Sequence, residues 1–397
     1  MIPSSRIKEL SSRFYKDVVG YRRQLHTYPE LSFQEIKTSE FIAARLREFK
    51  IPFRRGIAKH GVVGLLEGKN PRNKVIALRA DMDALPIHEK NKVSYCSKNA
   101  GVMHACGHDV HMASLLGTAR ILSELRNEFE GTVKFIFQPA EEKAPGGASI
   151  MIKEGVLKNP KPEYILAQHV TPELDVGKIG FRAGKFMASS DELYITIKGK
   201  GGHAAQPDRL IDPVVIASHL IVSLQQIVSR HASPLMPTVL SFGKVVANGA
   251  TNIIPDEVRL EGTLRTFDES WRADAKLKMK QLAESLVKSM GGSCDFKIVE
   301  GYPFLRNNEK LTESISGWAK DYVGESNVVH MEPRMGSEDF AFYSQQIPAC
   351  FYRLGTGNSK KGINTPVHTS AFDIDEKALE IGMGFMAYAT VCDSQAG

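Results

Sequence analysis

The stretch from residue 187 to residue 299 constrains the fold of this chain more than any other feature. Its hydrophobic period reads strand (191–198), helix (211–229), strand (238–246), strand (257–266), helix (270–289), strand (294–299). The order β-α-β-β-α-β is the split, ferredoxin-like pattern, and about 110 residues are enough for a domain of its own. On both sides the texture differs. Short continuous apolar runs at 62–66, 75–78, 133–137, 165–167 and 350–354 alternate with helical spacing at 4–27, 33–50, 110–125, 310–323 and 375–391. Runs of that kind read as strands buried on both faces, in a central sheet under helices. The expected layout is one discontinuous α/β domain, 1–186 and 300–397, that carries 187–299 as an insertion.

Composition narrows the class. Of 397 residues, 42% are hydrophobic and 24% charged, which is the balance of a globular chain and not of a collagen, a coiled coil or a disordered segment. The net charge of +6 comes from scattered residues, and Arg22-Arg23, Arg54-Arg55 and Lys360-Lys361 are only pairs. A nucleic-acid partner needs basic residues clustered on one face, so none is expected. No apolar run reaches the ~18 residues of a membrane span. Residues 1–25 lack the apolar core and cleavage site of a secretory signal. Five cysteines, odd in number and without a Cys-x-x-Cys pair, suit a reducing, cytoplasmic compartment.

Residues of metal-ligand type gather where the strands end. Arg79 to Pro86 closes the strand at 75–78, and His104 to Asp109 opens the helix at 110. Glu141-Glu142 follow the strand at 133–137, His169 follows that at 165–167, and His368 lies in the loop after 350–354. In open α/β sheets the ligand crevice lies outside the carboxyl ends of the strands. Taken singly, each residue has a plain explanation. A lone cysteine is usually a small buried hydrophobe, and a lone histidine a satisfied core or loop residue. Cys106 differs because His108 stands two residues on, in a glycine-containing turn at a helix N-terminus, where a thiolate is favoured. Two adjacent carboxylates beside a core repel unless a cation compensates. Their side chains also diverge, so one can ligate while the other handles protons. Pooled, Cys106, His108, Glu142, His169 and His368 exceed the four donors of a closed structural zinc site. Such a set suggests two metal ions roughly 3.5–4 Å apart, with Glu141 left as general base and then as acid to the leaving amine.

At these residues the chain resembles the M20 family of metallopeptidases, in its amidohydrolase branch. That branch includes hippurate hydrolases, N-acyl amino acid hydrolases, auxin-conjugate hydrolases and N-acetyl-diaminopimelate deacetylases. The resemblance runs from His26-Thr27-Tyr28-Pro29-Glu30-Leu31 to the final helix. Between them lie Gln138-Pro139-Ala140-Glu141-Glu142, Gly202-His203-Ala204-Ala205-Gln206-Pro207, Thr251-Asn252-Ile253-Ile254-Pro255-Asp256 and Gly336-Ser337-Glu338-Asp339-Phe340. The resemblance implies a three-layer αβα, zinc-peptidase-like catalytic domain with an inserted ferredoxin-like lid and dimerisation domain. It implies that Cys106, His108, Glu142, His169 and His368 bind two divalent ions (zinc, manganese, cobalt or nickel), with Glu141 the catalytic base. Where the broader family has His-x-Asp, this chain has Asp81 in the histidine's place, as the amidohydrolase branch does. Asp83 would then orient ligands from behind. His203, on the insertion, would stabilise the tetrahedral oxyanion of its own or the other subunit's site. Asn252 and Arg265 would hold the substrate's α-carboxylate, although for Arg265 a strand-edge ion pair is the alternative. Two departures, Lys143-Ala144-Pro145 and Ser370 after Thr369, remove no donor and bear on the substrate rim.

The expected activity is hydrolysis of the amide bond of N-acyl amino acids by a homodimer joined through the inserted domain. A metallo-dipeptidase or aminopeptidase with the same core is the nearest alternative. A cysteine hydrolase, with Cys106 as nucleophile and His108 or His104 as base, is a different mechanism. A metal- or ligand-binding protein on the same scaffold is a different class again.

Overall fold

The computed structural model describes residues 2–394, and the chain falls into two compact units. The first comprises Met1–Gly184, Arg306–Glu332 and Asp339–Gly397, and the second Lys185–Leu305 and Pro333–Glu338.

The first unit is built on an eight-stranded sheet. Its order is Phe53–Ile57, Gly61–Glu67, Thr132–Gln138, Val75–Asp81, Tyr164–Asp175, Ala349–Gly357, Ile179–Phe181, Val328–His330. The four strands from Thr132–Gln138 to Ala349–Gly357 are parallel, and the strand next to them on either side is antiparallel. Val75–Asp81, Thr132–Gln138 and Ala349–Gly357 are buried at every position. Alternate side chains point to opposite faces, so both faces of the sheet are covered, as a continuous apolar run predicts. Lys134 breaks the apolar pattern on a buried strand. Its Nζ donates to the carbonyls of Val156, Lys158 and Pro160 at 2.8, 2.9 and 2.6 Å, one for each ammonium proton. The helix His108–Glu124 is buried almost all round and packs between the sheet and the helices Ser4–Thr27 and Lys377–Ser394. The short strands Phe53–Ile57, Ile179–Phe181 and Val328–His330 span three to five residues, too few to show a period in the sequence.

The second unit holds a four-stranded antiparallel sheet in the order Thr238–Val246, Glu257–Thr266, Asp191–Lys198, Ser293–Glu300. That order splits the β-α-β units, as the sequence pattern requires. Along Asp191–Lys198, Leu193, Ile195 and Ile197 are buried while Glu192, Tyr194 and Lys198 are exposed. This period of two places one face on a core shared with the helices Pro213–Leu224 and Glu269–Ser289. The first of these helices is shorter than the sequence period suggests. It starts at Pro213 because the Asp212 side chain accepts from the amides of Val214 and Val215. It gives way after Leu224 to a π turn at Ile227–His231. Among the described residues no helix is long and apolar enough to cross a membrane.

Candidate metal centre

In the first unit the ligand-type motifs converge at the carboxyl ends of the central strands. The turn before the helix His108–Glu124 depends on Gly107, at φ 83°, where a Cβ would lie 2.5 Å from Val170 Cγ2. Glycine thereby allows Cys106 and His108 to face one point. His108 Nδ1 donates to the Asp83 carbonyl at 2.8 Å, and its Nε2 is buried without a hydrogen-bond partner. His169 Nδ1 donates to the Val170 carbonyl at 2.7 Å, which leaves Nε2 at 3.5 Å from Cys106 Sγ. His368 Nε2 lies 3.3 Å from Cys106 Sγ and 3.3 Å from Glu142 Oε1. The His368 backbone has φ 63°, and its amide is fixed on the Ala105 carbonyl at 2.7 Å.

These side chains form overlapping donor groups. The ligand atoms of Cys106, His108 and His169 all lie within 4.8 Å of one another, as do those of Cys106, Glu142 and His368. Two such triplets share one sulfur. With both Nδ1 atoms donating to carbonyls, His108 and His169 turn Nε2 inward, as a ligating histidine does. The N, O and S donors and the unpartnered His108 Nε2 fit divalent cations. Burial, followed by the charge of Arg353, holds the His169 pKa well below its usual value, so the ring stays neutral. Burial, followed by the charge of Glu142, pushes the Cys106 thiol up. A nucleophilic cysteine needs the opposite shift, so this thiol is not activated for attack by itself.

A second layer holds the donors. The Asp83 carboxylate accepts from the backbone amides of Glu141 and Glu142 at 3.0 and 2.9 Å and from Ser32 Oγ at 2.6 Å. Asp81 contacts His111 Nδ1 and Arg79 Nη1, each at 2.6 Å. Burial alone would raise Asp81, but the charges of His108, His111 and Arg79 hold it well below the usual carboxylate range. Sequence reasoning gave no part to His111, although it follows His108 by one helical turn on the same face. It also left Asp339 without a role. That carboxylate accepts from Arg79 Nη2 at 2.8 Å, from Gln138 Nε2 at 2.8 and 2.7 Å and from the Ala148 amide at 3.0 Å. Its own amide faces Glu141 Oε1 at 3.4 Å.

The remaining candidates belong to the second unit. His203 is exposed on the two-residue strand Gly202–His203, which pairs with Ile253–Ile254, and the Ala204 amide donates to the Asn252 carbonyl at 3.0 Å. His203 and Asn252 therefore share one corner of that unit. Arg265 donates from Nε to Thr263 Oγ1 at 3.1 Å and from Nη1 to Ser337 Oγ at 3.0 Å. No carboxylate among the described residues pairs with it. The strand-edge ion pair is made instead by Arg259, at 2.5 Å from Glu257.

Comparisons with known proteins match most of the chain. The model for peptidase family M20/M25/M40 matches residues 77–390. An N-acetylcysteine deacetylase of Bacillus subtilis is 40% identical over 379 residues, covering 95% of this chain and 97% of its own. An N-acyl-L-amino acid amidohydrolase of Geobacillus stearothermophilus is 44% identical over 304 residues, covering 76% and 81%. Among solved structures, a dinuclear metal-binding peptidase of the M20 family from Bacillus subtilis superposes with a TM-score of 0.83. It shares 37% identity and covers 97% of this chain and 100% of its own.

Proposed function

The chain belongs to peptidase family M20/M25/M40, and from that premise we propose that it is a metal-dependent amidohydrolase acting on N-acyl amino acids. The products are a carboxylate and a free amino acid. The observation that carries the reading is the Cys106 sulfur shared by two donor triplets, one with His108 and His169 and one with Glu142 and His368. Those five residues would hold two divalent ions drawn from zinc, manganese, cobalt or nickel. When bound, the ions supply Lewis acidity to the amide carbonyl and to an attacking water.

The chain's own residues do the rest. Glu141 takes the proton of the water and delivers it to the leaving nitrogen. Asp83 holds the backbone of Glu141 and Glu142 with one carboxylate, so that base and ligand keep their separate directions. His203 donates to the oxyanion, and Asn252 and Arg265 bind the α-carboxylate, for which a two-pronged guanidinium is suited. The hydrogen bonds of Arg265 go only to hydroxyls, which supports that role by leaving the guanidinium outside a direct carboxylate pair. The five cysteines are all free thiols, which suits a cytoplasmic setting. The homodimer is read through the second unit, where the edge strand Thr238–Val246 exposes Val239 and Val245.

Metal analysis combined with a panel of N-acyl amino acids, run on the wild type and on Glu141→Gln, tests this function. The variant is expected to keep its metal and to lose turnover by about 10²–10⁴-fold, the usual worth of a positioned base. Unchanged turnover would remove Glu141 from the mechanism. A preference for free dipeptides over hippurate-like amides would move the chain to the dipeptidase or aminopeptidase reading.

A further inference from the structure

Glu35 is a fully buried carboxyl in which the reaction above has no stake. It stands immediately before the helix Ile36–Glu48 and does not cap it. Its Oε1 accepts from the Ala140 amide at 2.8 Å and from the Phe33 amide at 3.0 Å, and its Oε2 is buried without a hydrogen-bond partner. Burial, with the charge of Asp83 adding to it, raises this carboxyl to about 7. A buried carboxyl with one unpartnered oxygen costs stability, and an apolar side chain of the same size would cost less. Stability alone therefore gives no reason for a glutamate here.

The contact to Ala140 supplies one. Ala140 lies at φ 53°, a left-handed conformation that an L residue adopts only at a cost. It is fixed at both ends. Glu35 takes its N–H, and its carbonyl accepts from the Gly147 amide at 2.8 Å. Gly147 has no room for a side chain, because a Cβ would lie 1.7 Å from the Pro139 carbonyl oxygen. The next two amides, of Glu141 and Glu142, go to Asp83. Two buried carboxyls thus take three successive backbone N–H groups. The turn that carries Glu35 also supplies Ser32, whose hydroxyl fixes Asp83 at 2.6 Å. One turn therefore reaches both carboxyl clamps.

We propose that Glu35 is a positioning residue: by holding the Ala140 amide it keeps the backbone twist that separates Glu141, the base, from Glu142, the ligand. The proposal rests on the function given above. Glu35 touches neither substrate nor ion and acts through Ala140.

The experiment compares Glu35→Gln, which keeps an oxygen for the Ala140 amide, with Glu35→Leu, which has similar bulk and none. A third variant combines Glu35→Leu with Ala140→Gly, since glycine holds φ 53° without a clamp. Cobalt(II) is titrated into each metal-free protein, and its d–d and thiolate charge-transfer bands are read beside kcat and KM. Glu35→Gln is expected within about threefold of wild type, with an unchanged cobalt spectrum. In Glu35→Leu, kcat falls by about 30-fold or more with KM within about threefold. The d–d bands change, and cobalt affinity drops about tenfold, the usual scale for a residue that supports a ligand. The double variant regains most of both. A folded Glu35→Leu with wild-type spectrum and kcat would overturn the proposal, as would a Glu35→Gln variant as damaged as Glu35→Leu. If Glu35→Leu does not fold, the double variant decides. A folded double variant with the wild-type spectrum supports positioning, whereas its failure to fold, or a lost spectrum, makes Glu35 a folding requirement and overturns it. A wild type that hydrolyses no amide would defeat the proposed function, and the cobalt spectra would still test the clamp.

Discussion

In the first unit His108, His169, Asp81 and Asp83 are buried, and each has a second group that fixes its direction: a carbonyl for each ring, a ring and a guanidinium for Asp81, two amides for Asp83. In the second unit His203 and Asn252 are exposed, and Arg265 leans only on two hydroxyls. Under the proposed function the contrast separates two kinds of chemistry. Cation ligands must be held before the ion arrives, because a loosely held donor loses affinity through ordering, and burial supplies that order. Groups that meet only a substrate can stay in water until it binds. Loss of a ligand from the first unit should therefore remove metal and activity together, and damage to the second should remove activity or substrate affinity alone.

The largest effect that tests this division is that of Cys106→Ala. The shared sulfur belongs to both donor triplets, so bound metal should fall and kcat/KM should drop by at least about 10³-fold, the several kcal/mol that Lewis acidity supplies. Metal content by elemental analysis reads the first part. A variant that keeps its full metal content while losing activity would instead favour Cys106 as a nucleophile. Next in size is His203→Ala. The loss of one oxyanion donor is worth about 10²–10³-fold in kcat, and metal content and melting temperature should not move. Loss of metal in this variant would break the division between the units. Smaller again is Arg265→Met. A hydrogen bond to a charged group is worth about 1.5–3 kcal/mol, so KM should rise about 10–100-fold with kcat nearly unchanged. An amide without the α-carboxylate is the control, and an equal loss on it would remove Arg265 from substrate binding.

How much of this was legible in the sequence depended on separation along the chain. Cys106, Gly107 and His108 are adjacent, and a glycine between two donors at a helix start is a local signal. The continuous apolar runs were legible because every residue of Val75–Asp81 and Thr132–Gln138 is in fact buried. Asp339 and Glu35 were not legible. The Arg79–Asp339 contact joins residues 260 apart and the Glu35–Ala140 contact residues 105 apart, and no local period encodes such pairs. The grouping of Pro333–Glu338 with the second unit escaped for the same reason. His111 is an intermediate case. Its spacing from His108 was visible, but on a helix buried all round the spacing does not distinguish a supporting histidine from a packed one.

The smallest effect concerns protons, and it belongs to the first unit alone. In the metal-free protein, contacts with Cys106 and then with Glu142 hold the His368 imidazolium up to about 10. Below that pH the ring carries a proton that an incoming ion must displace. Raising the pH removes this competitor, so apparent metal affinity should rise by about tenfold per pH unit for each proton displaced, and level off above about 10. Calorimetric titration of cobalt or zinc in two buffers of different ionisation enthalpy counts the protons, and about two per chain are expected at neutral pH, one from the His368 ring and one from the Cys106 thiol. An affinity that falls as pH rises, or a proton count that His368→Ala leaves unchanged, would show that His368 is not displaced from its contacts and hence is not a ligand. His203→Ala should leave the slope unaltered. If it changed the slope, the exposed histidine of the second unit would share in metal binding, and the division between the two units would have to be redrawn around it.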